Sequence, residues 1–253
     1  SSVKCEGIPD AFCVLNGGEF SDRVVSAYNV GTADRDLPAD LDSARSLISP
    51  ATAALRDFSY IAPDLPRLDP SKCVGCMDCV TLCPDTAILG KVVEREVGDR
   101  MLAAIAKEDV RKEAASCLAK AKKYWDNFEK KGQKPGYFGI FVDPTKCKGC
   151  GECVEVCGDR GALTMIRKTP EILDEFRGTF DFYRKLPPTP KEFIIEKSLQ
   201  DMMLSDRAML YTGGAGSCMG CGEATAIRMM LAATGFVYGE NNVAIAAATG
   251  CNT

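Results

Sequence analysis

The sequence holds fourteen cysteines and no histidine. Eight of the cysteines fall in two runs of one rhythm. KCVGCMDCVTLCP carries Cys73, Cys76, Cys79 and Cys83, and KCKGCGECVEVCG carries Cys147, Cys150, Cys153 and Cys157. A 4Fe-4S cubane needs one thiolate per iron, and a CxxCxxC loop wraps three corners while the fourth ligand arrives from elsewhere. The repeated spacing therefore predicts two clusters. By the crossing rule for paired clusters, Cys73, Cys76, Cys79 and Cys157 hold one, and Cys147, Cys150, Cys153 and Cys83 hold the other. The competing reading is a pair of zinc sites, but zinc ribbons use two CxxC pairs rather than four cysteines in this rhythm. Gly75, Gly149 and Gly151 relieve crowding where the loops bend. The second run ends Cys157-Gly158 where the first ends Cys83-Pro84, which relaxes one turn without removing a ligand.

A third group consists of Cys218 and Cys221 in SCMGCGE and Cys251 in ATGCNT. Three thiolates are one short of a cubane, and spacing alone leaves a cluster, a zinc ion and a structural pair all open. Cys5, Cys13 and Cys117 have no such spacing and read as packed or incidental thiols. Lacking imidazole, the chain has no Ser/His or Cys/His nucleophile pair and none of the commonest mixed zinc sites. Any reaction must lean on carboxylates, lysines or a bound cofactor.

The elements that position these cysteines repeat as well. Each run leads into a strand-like segment, TAILGKVVE after the first and GALTMIRK after the second, and YFGIFVD precedes the second run. Between them, Met101, Leu102, Ile105, Val110 and Leu118 recur at helical intervals, predicting one or two inserted helices. Tyr124, Trp125 and Phe128 read as core aromatics. The expected architecture is an α+β two-cluster ferredoxin-like domain over 68–169, with a helical insertion at about 92–134. A connecting or covering segment, 1–67, precedes it. A proline-marked linker, 170–210, follows and leads to the start of an α/β domain at 211–253. Among 253 residues, 46% are hydrophobic and 26% charged, an ordinary globular balance with material for one or two cores. The net charge of -4 with interspersed signs offers no basic stripe for nucleic acid. No uncharged apolar run approaches the ~20 residues of a membrane span. The first residues lack signal-peptide regions, and grouped thiols point to a reducing compartment, so a cytoplasmic location is expected.

From about Leu68 to Thr253 the chain resembles the pyruvate:ferredoxin oxidoreductase family. The order of parts carries the likeness: two cysteine runs with an insertion between them, then CxGCGE at Cys218 to Glu223, then ATGC at Ala248 to Cys251. The resemblance implies a third 4Fe-4S cluster held by Cys218, Cys221 and Cys251, with its fourth ligand further along. It implies thiamine diphosphate with Mg2+, and Glu223, Thr249 and Gly250 match positions close to that cofactor. The implied activity is oxidative decarboxylation of a 2-oxoacid, pyruvate being the commonest, onto coenzyme A with reduction of an external ferredoxin. The thiamine performs the bond chemistry, so a lack of histidine is no obstacle. A dimer of protomers completed by further segments or subunits is implied too. The GDG signature for magnesium and the diphosphate is not present, and the start without methionine and the stop after ATGC suggest a piece of a longer polypeptide. The rival function is a polyferredoxin-like electron carrier with no catalytic site. A nucleotide-binding reductase, read from GGAG, is weaker because no convincing strand precedes those glycines.

Overall fold

The computed structural model describes residues 21–37, 57–195, 197–213, 216–243 and 245. Cys5, Cys13, Thr249, Gly250 and Cys251, and most of the strand expected before ATGC, lie outside the described residues. The chain divides into two compact units, Ser1–Phe58 and Ser59–Thr253. Within the first unit, a π turn at Ser21–Val25 runs into short helices at Ser26–Asn29 and Ala33–Asp36. Asn29 Oδ1 accepts a hydrogen bond from the Asp57 amide at 2.9 Å.

The second unit is built on two antiparallel sheets that interlock the halves of the cysteine repeat. Strand β1 (Asp64–Leu68) precedes the first cysteine run and β2 (Ile88–Glu94) follows it. Strand β4 (Gly136–Val142) precedes the second run and β5 (Leu163–Arg167) follows it. The pairs cross between halves, β1 with β5 (Leu65 opposite Ile166) and β2 with β4 (Leu89 opposite Phe141). A two-residue strand, β3 (Leu118–Ala119), borders β4 on its other side. Strand β1 takes residues 64–67 into the sheet, although they read as part of the connecting segment. Pro63 and Pro66 hide the strand in the sequence, and a two-stranded edge tolerates a proline that central strands exclude.

Strand β2 is buried along nearly its whole length, and alternation sorts its side chains between two covered faces. Ile88 and Val92 enter one core together with Leu65, Val80, Tyr124, Phe138 and Ile140. Leu89 and Val93 enter a second core with Phe141, Phe180, Phe182 and Leu186. The insertion forms three helices, α2 (Arg95–Ala103), α3 (Glu108–Ser116) and α4 (Asp126–Lys130), besides β3. This is one more helix than its periodicity suggests. Tyr124 is buried and stacks on Phe138 at 5.3 Å between ring centres, so the insertion's aromatics close the main core.

Residues 170–210, read as a linker from their prolines, contribute buried side chains to both cores. Helix α6 (Pro170–Lys185) starts with proline in its first turn and with Thr169 Oγ1 accepting from the Ile172 amide at 3.3 Å. It sends Phe176 to the first core and Phe180 and Phe182 to the second. Phe193, Met203 and Leu204 then return to the first core. Asp201, in the short helix α7 (Leu199–Met202), is fully buried and forms an ion pair with Lys123 of the insertion. No helix among the described residues is long and apolar enough to cross a membrane.

Candidate functional site

Two short helices carry the ends of the cysteine runs. Helix α1 (Asp78–Leu82) follows the first CxxCxxC loop, and α5 (Glu152–Cys157) follows the second. Each loop must reverse direction tightly, and Gly75 and Gly149 meet that need with matching left-handed φ of 73°. Gly158 is left-handed as well, at φ 52°. Proline is locked near φ of about −65°, so the absent proline after Cys157 reflects a turn of different course. That turn is a 3-10 segment, Gly158–Arg160, with no counterpart after Cys83.

The cysteine side chains surround two cavities. The first, of about 350 Å3 including its mouth, is lined by Cys73, Cys76, Cys79 and Cys157. The second, of about 360 Å3, is lined by Cys147, Cys150, Cys153 and Cys83. Each cavity thus takes three thiols from one half and the fourth from the other. Among the described residues, no group of three or more histidine, cysteine, aspartate or glutamate side chains converges where one metal ion could be held. Each four-thiol set lines one cavity, the arrangement of one thiolate per iron that a cubane calls for.

Burial raises the thiols of Cys73, Cys76, Cys79, Cys150 and Cys153 above their ordinary value, and takes Cys147 up to about 12. Neighbouring sulfurs add to the rise, and they sort mainly by cavity. Cys73 feels Cys76 and Cys157, whereas Cys153 feels Cys83, Cys147 and Cys150. Backbone amides oppose the rise in a pattern that repeats between halves. The Gly75 and Asp78 amides act on Cys73 and Cys76, and the Gly149 and Glu152 amides on Cys147 and Cys150. The Ala87 amide donates to Cys83 Sγ at 3.2 Å. Thiols crowded in apolar surroundings need a cationic partner to ionise, and cluster iron is such a partner. Four-thiol sets around a cavity, with amides aimed at the sulfurs, fit a 4Fe-4S cluster.

Charged residues from each half close the cavities. Arg160 Nη1 lies 3.2 Å from Asp78 Oδ2 beside the first. At the second, Lys148 and Asp85 form a buried ion pair of 3.1 Å, with 3% and 4% of their side chains exposed. Burial raises the Asp85 carboxyl above its ordinary value, and Lys148 draws it back.

The third cysteine group is partly described. Cys218 is exposed and Cys221 half-buried, and Cys221 Sγ caps helix α8 (Gly222–Tyr238) by accepting from the Ala224 amide at 3.4 Å. The loop carrying this pair is fastened to the second cavity. Lys148 Nζ donates to the Ser217 carbonyl at 3.1 Å, and a Cβ on Gly220 would lie 3.7 Å from Cys150 Cβ. Glu223 is exposed in the first turn of α8. Among the described residues, then, the structure gathers the eight cysteines of the two runs and sets Cys218 and Cys221 nearby. Cys117 stays apart: it packs against the second core, and burial lifts its thiol to about 12. Lys148, Asp85 and Arg228 were not singled out from sequence. The first two adjoin cysteine ligand positions, a usable signal, but Arg228 lies 145 residues downstream of Cys83 and has none.

The crossed strand pairs and two cysteine-lined cavities define a two-site iron-sulfur domain of ferredoxin type. A 4Fe-4S binding domain is matched at residues 66–89 and 140–159, covering both runs. The chain is 28% identical over 200 residues to a probable pyruvate-flavodoxin oxidoreductase of Escherichia coli, a match covering 76% of the chain and 15% of that protein. It is 26% identical over 245 residues to the pyruvate:ferredoxin oxidoreductase of Moorella thermoacetica, covering 96% of the chain and 18% of that protein. A pyruvate-flavodoxin oxidoreductase of Nostoc is 27% identical over 211 residues, with 81% and 15% covered. Over most of its length the chain is thus similar to pyruvate:ferredoxin and pyruvate-flavodoxin oxidoreductases, and it spans less than a fifth of the length of these relatives.

Proposed function

We propose that this chain is the electron-conducting portion of a thiamine-diphosphate-dependent 2-oxoacid:ferredoxin oxidoreductase, with pyruvate as substrate. In this reading, Cys73, Cys76, Cys79 and Cys157 hold one 4Fe-4S cluster, and Cys147, Cys150, Cys153 and Cys83 hold a second. Cys218, Cys221 and Cys251 contribute to a third. When bound, such clusters supply one-electron carriers whose potentials respond to net charge, hydrogen bonds and solvent. The complete enzyme would convert a 2-oxoacid and coenzyme A to acyl-CoA and CO2 and pass the electrons to ferredoxin or flavodoxin.

The chain's own residues contribute placement. Cys79 and Cys83 flank one helical turn of α1, so neighbouring cavities take thiols only four residues apart in sequence. The Gly220 turn lies against Cys150, so the loop of the third cysteine pair borders the second cavity. That seating of the CMGCGE loop is the observation that carries the enzyme reading, because a carrier has no need for that loop opening an α/β domain beside its clusters. Glu223, Thr249 and Gly250 are assigned to the thiamine side, with Glu223 directed to the aminopyrimidine. Thiamine diphosphate and Mg2+ would be completed by residues after Thr253.

The test is the iron and thiamine content of the complete polypeptide, purified without oxygen. About twelve irons with one thiamine supports the proposal, whereas about eight with no thiamine leaves a two-cluster carrier and removes the enzyme reading.

A further inference from the structure

Arg228 is the largest fully buried side chain in the protein's described part, with 2% of its surface exposed. It projects from the second turn of α8 into the other end of the chemistry, the C-terminus of α1. Its Nη1 donates to the carbonyls of Val80 and Thr81, the latter at 3.2 Å, and its Nε donates to Thr86 Oγ1 at 2.9 Å. Thr225, one turn earlier on α8, donates to the Leu82 carbonyl at 3.4 Å. Thr86 is itself unusual: a β-branched residue at a left-handed φ of 54°, whose hydroxyl is held between Arg228 and the Tyr211 carbonyl.

All of these acceptors are neutral. Among the described residues, no carboxylate lies within ion-pair distance of Arg228. A buried guanidinium without a counter-charge is strongly unfavourable, and the last carbonyls of one short helix offset only part of that. Negative charge is available from the thiolates of Cys79 and Cys83, one residue before Val80 and two after Thr81. These two bracket the helix turn whose carbonyls Arg228 binds, and they face different cavities. Both act electrostatically on Arg228.

We propose that Arg228 is the shared counter-cation of the two ferredoxin-type clusters, through which helix α8 raises both of their reduction potentials. The inference rests on the reading that both cavities hold 4Fe-4S clusters. A cubane bound by four thiolates is a net anion and gains one further negative charge on reduction. A fixed buried cation beside a ligand of each cluster therefore favours the reduced form of both. Arg228 is a positioning residue here: it touches neither cluster iron nor substrate, and acts through the α1 turn that presents Cys79 and Cys83.

The test uses the complete polypeptide, prepared anaerobically as wild type, Arg228→Met, Arg228→Gln, Arg228→Lys and Thr86→Val. Iron content is measured first, and each cluster is then titrated with a chemical reductant and followed by electron paramagnetic resonance. Arg228→Met and Arg228→Gln are expected to lower both potentials, so that the reduced-to-oxidised ratio at the wild-type midpoint falls about tenfold, equivalent to ~59 mV for a one-electron couple. Arg228→Lys keeps the charge, and Thr86→Val removes the hydroxyl's two hydrogen bonds but no charge, so both are expected to stay near the wild-type potentials. Unchanged potentials in the neutral variants overturn the proposal, as does an equal shift in Arg228→Lys. Should the neutral variants fail to take up iron, retention of both clusters by Arg228→Lys at wild-type potential supports a requirement for charge, and failure of Arg228→Lys too reduces Arg228 to a packing role. A wild type lacking the two ferredoxin-type signals would instead refute the cluster reading itself.

Discussion

Replacing Lys148 by methionine removes one member of a buried ion pair while keeping most of its volume. The ammonium lies 3.1 Å from Asp85 Oδ1 and also holds the Ser217 carbonyl at 3.1 Å, with both charged side chains almost wholly enclosed. Its loss leaves a buried carboxylate without its cation, which costs about 3–5 kcal/mol. With a urea slope of about 2 kcal/mol per molar, the unfolding midpoint should drop by about 2 M. The assay is anaerobic urea unfolding at neutral pH, followed by loss of iron-sulfur absorbance. Asp85 supplies the sign of the pH dependence. Burial raises its folded value above 3.8 and Lys148 opposes the rise, so the ionised carboxyl weighs against the fold as pH climbs from 3.8 through the folded value. Removing Lys148 enlarges that burden, so the damage is full at neutral pH and shrinks toward acid. Adding Asp85→Asn should restore most of the midpoint, because a neutral pair no longer strands a charge. A drop of less than about 0.5 M in the single variant, or no recovery in the double, would show that the pair does not hold this cavity.

The crossed assignment separates two cysteines that lie in the same kind of motif. Cys157→Ala should empty the first cavity and Cys83→Ala the second, each removing about four irons and a different paramagnetic signal; loss of the cluster from the variant's own half would contradict it. Gly158→Pro should prevent stable loading of the first cavity, since φ of 52° is closed to proline, whereas Pro84→Gly should cost only about 1 kcal/mol in chemical denaturation. Cys117 should resist alkylation by iodoacetamide in the folded protein at mildly alkaline pH. Its folded value of about 12 lies above the ordinary 9.0, so the native state loses stability as pH rises through that interval, and a Cys117→Ala variant should lose less. A rapid native reaction at Cys117, found by mass spectrometry of the labelled peptide, would contradict the burial.

The cluster chemistry was legible because ligand spacing is local. Four cysteines within about ten residues specify what a loop can wrap, and seeing the run twice specifies a paired domain. Tyr124 and Trp125 were legible as core for a similar reason, since bulky aromatics beside a helical pattern bury themselves. Strand β1 was not, because Pro66 within it and Pro63 just before it read as breakers until β5 is available as a single partner. The segment 170–210 carried the prolines of a linker, and only the docking of Phe176, Phe180 and Phe193 on the two faces of the sheet makes it part of the cores.

The sequence by itself determined which cysteines can gather into four-thiol sets and that there are two such sets in the repeat, because cysteine identity and spacing are written residue by residue. Tertiary structure alone decided what surrounds those sites. The third cysteine loop is tied to the second cavity by Lys148, and Arg228 reaches Val80 and Thr86 from 142 to 148 residues away. Such contacts depend on how helices pack after the chain has collapsed, and a lone lysine or arginine shows no periodicity or spacing from which its burial beside a distant thiolate can be foreseen.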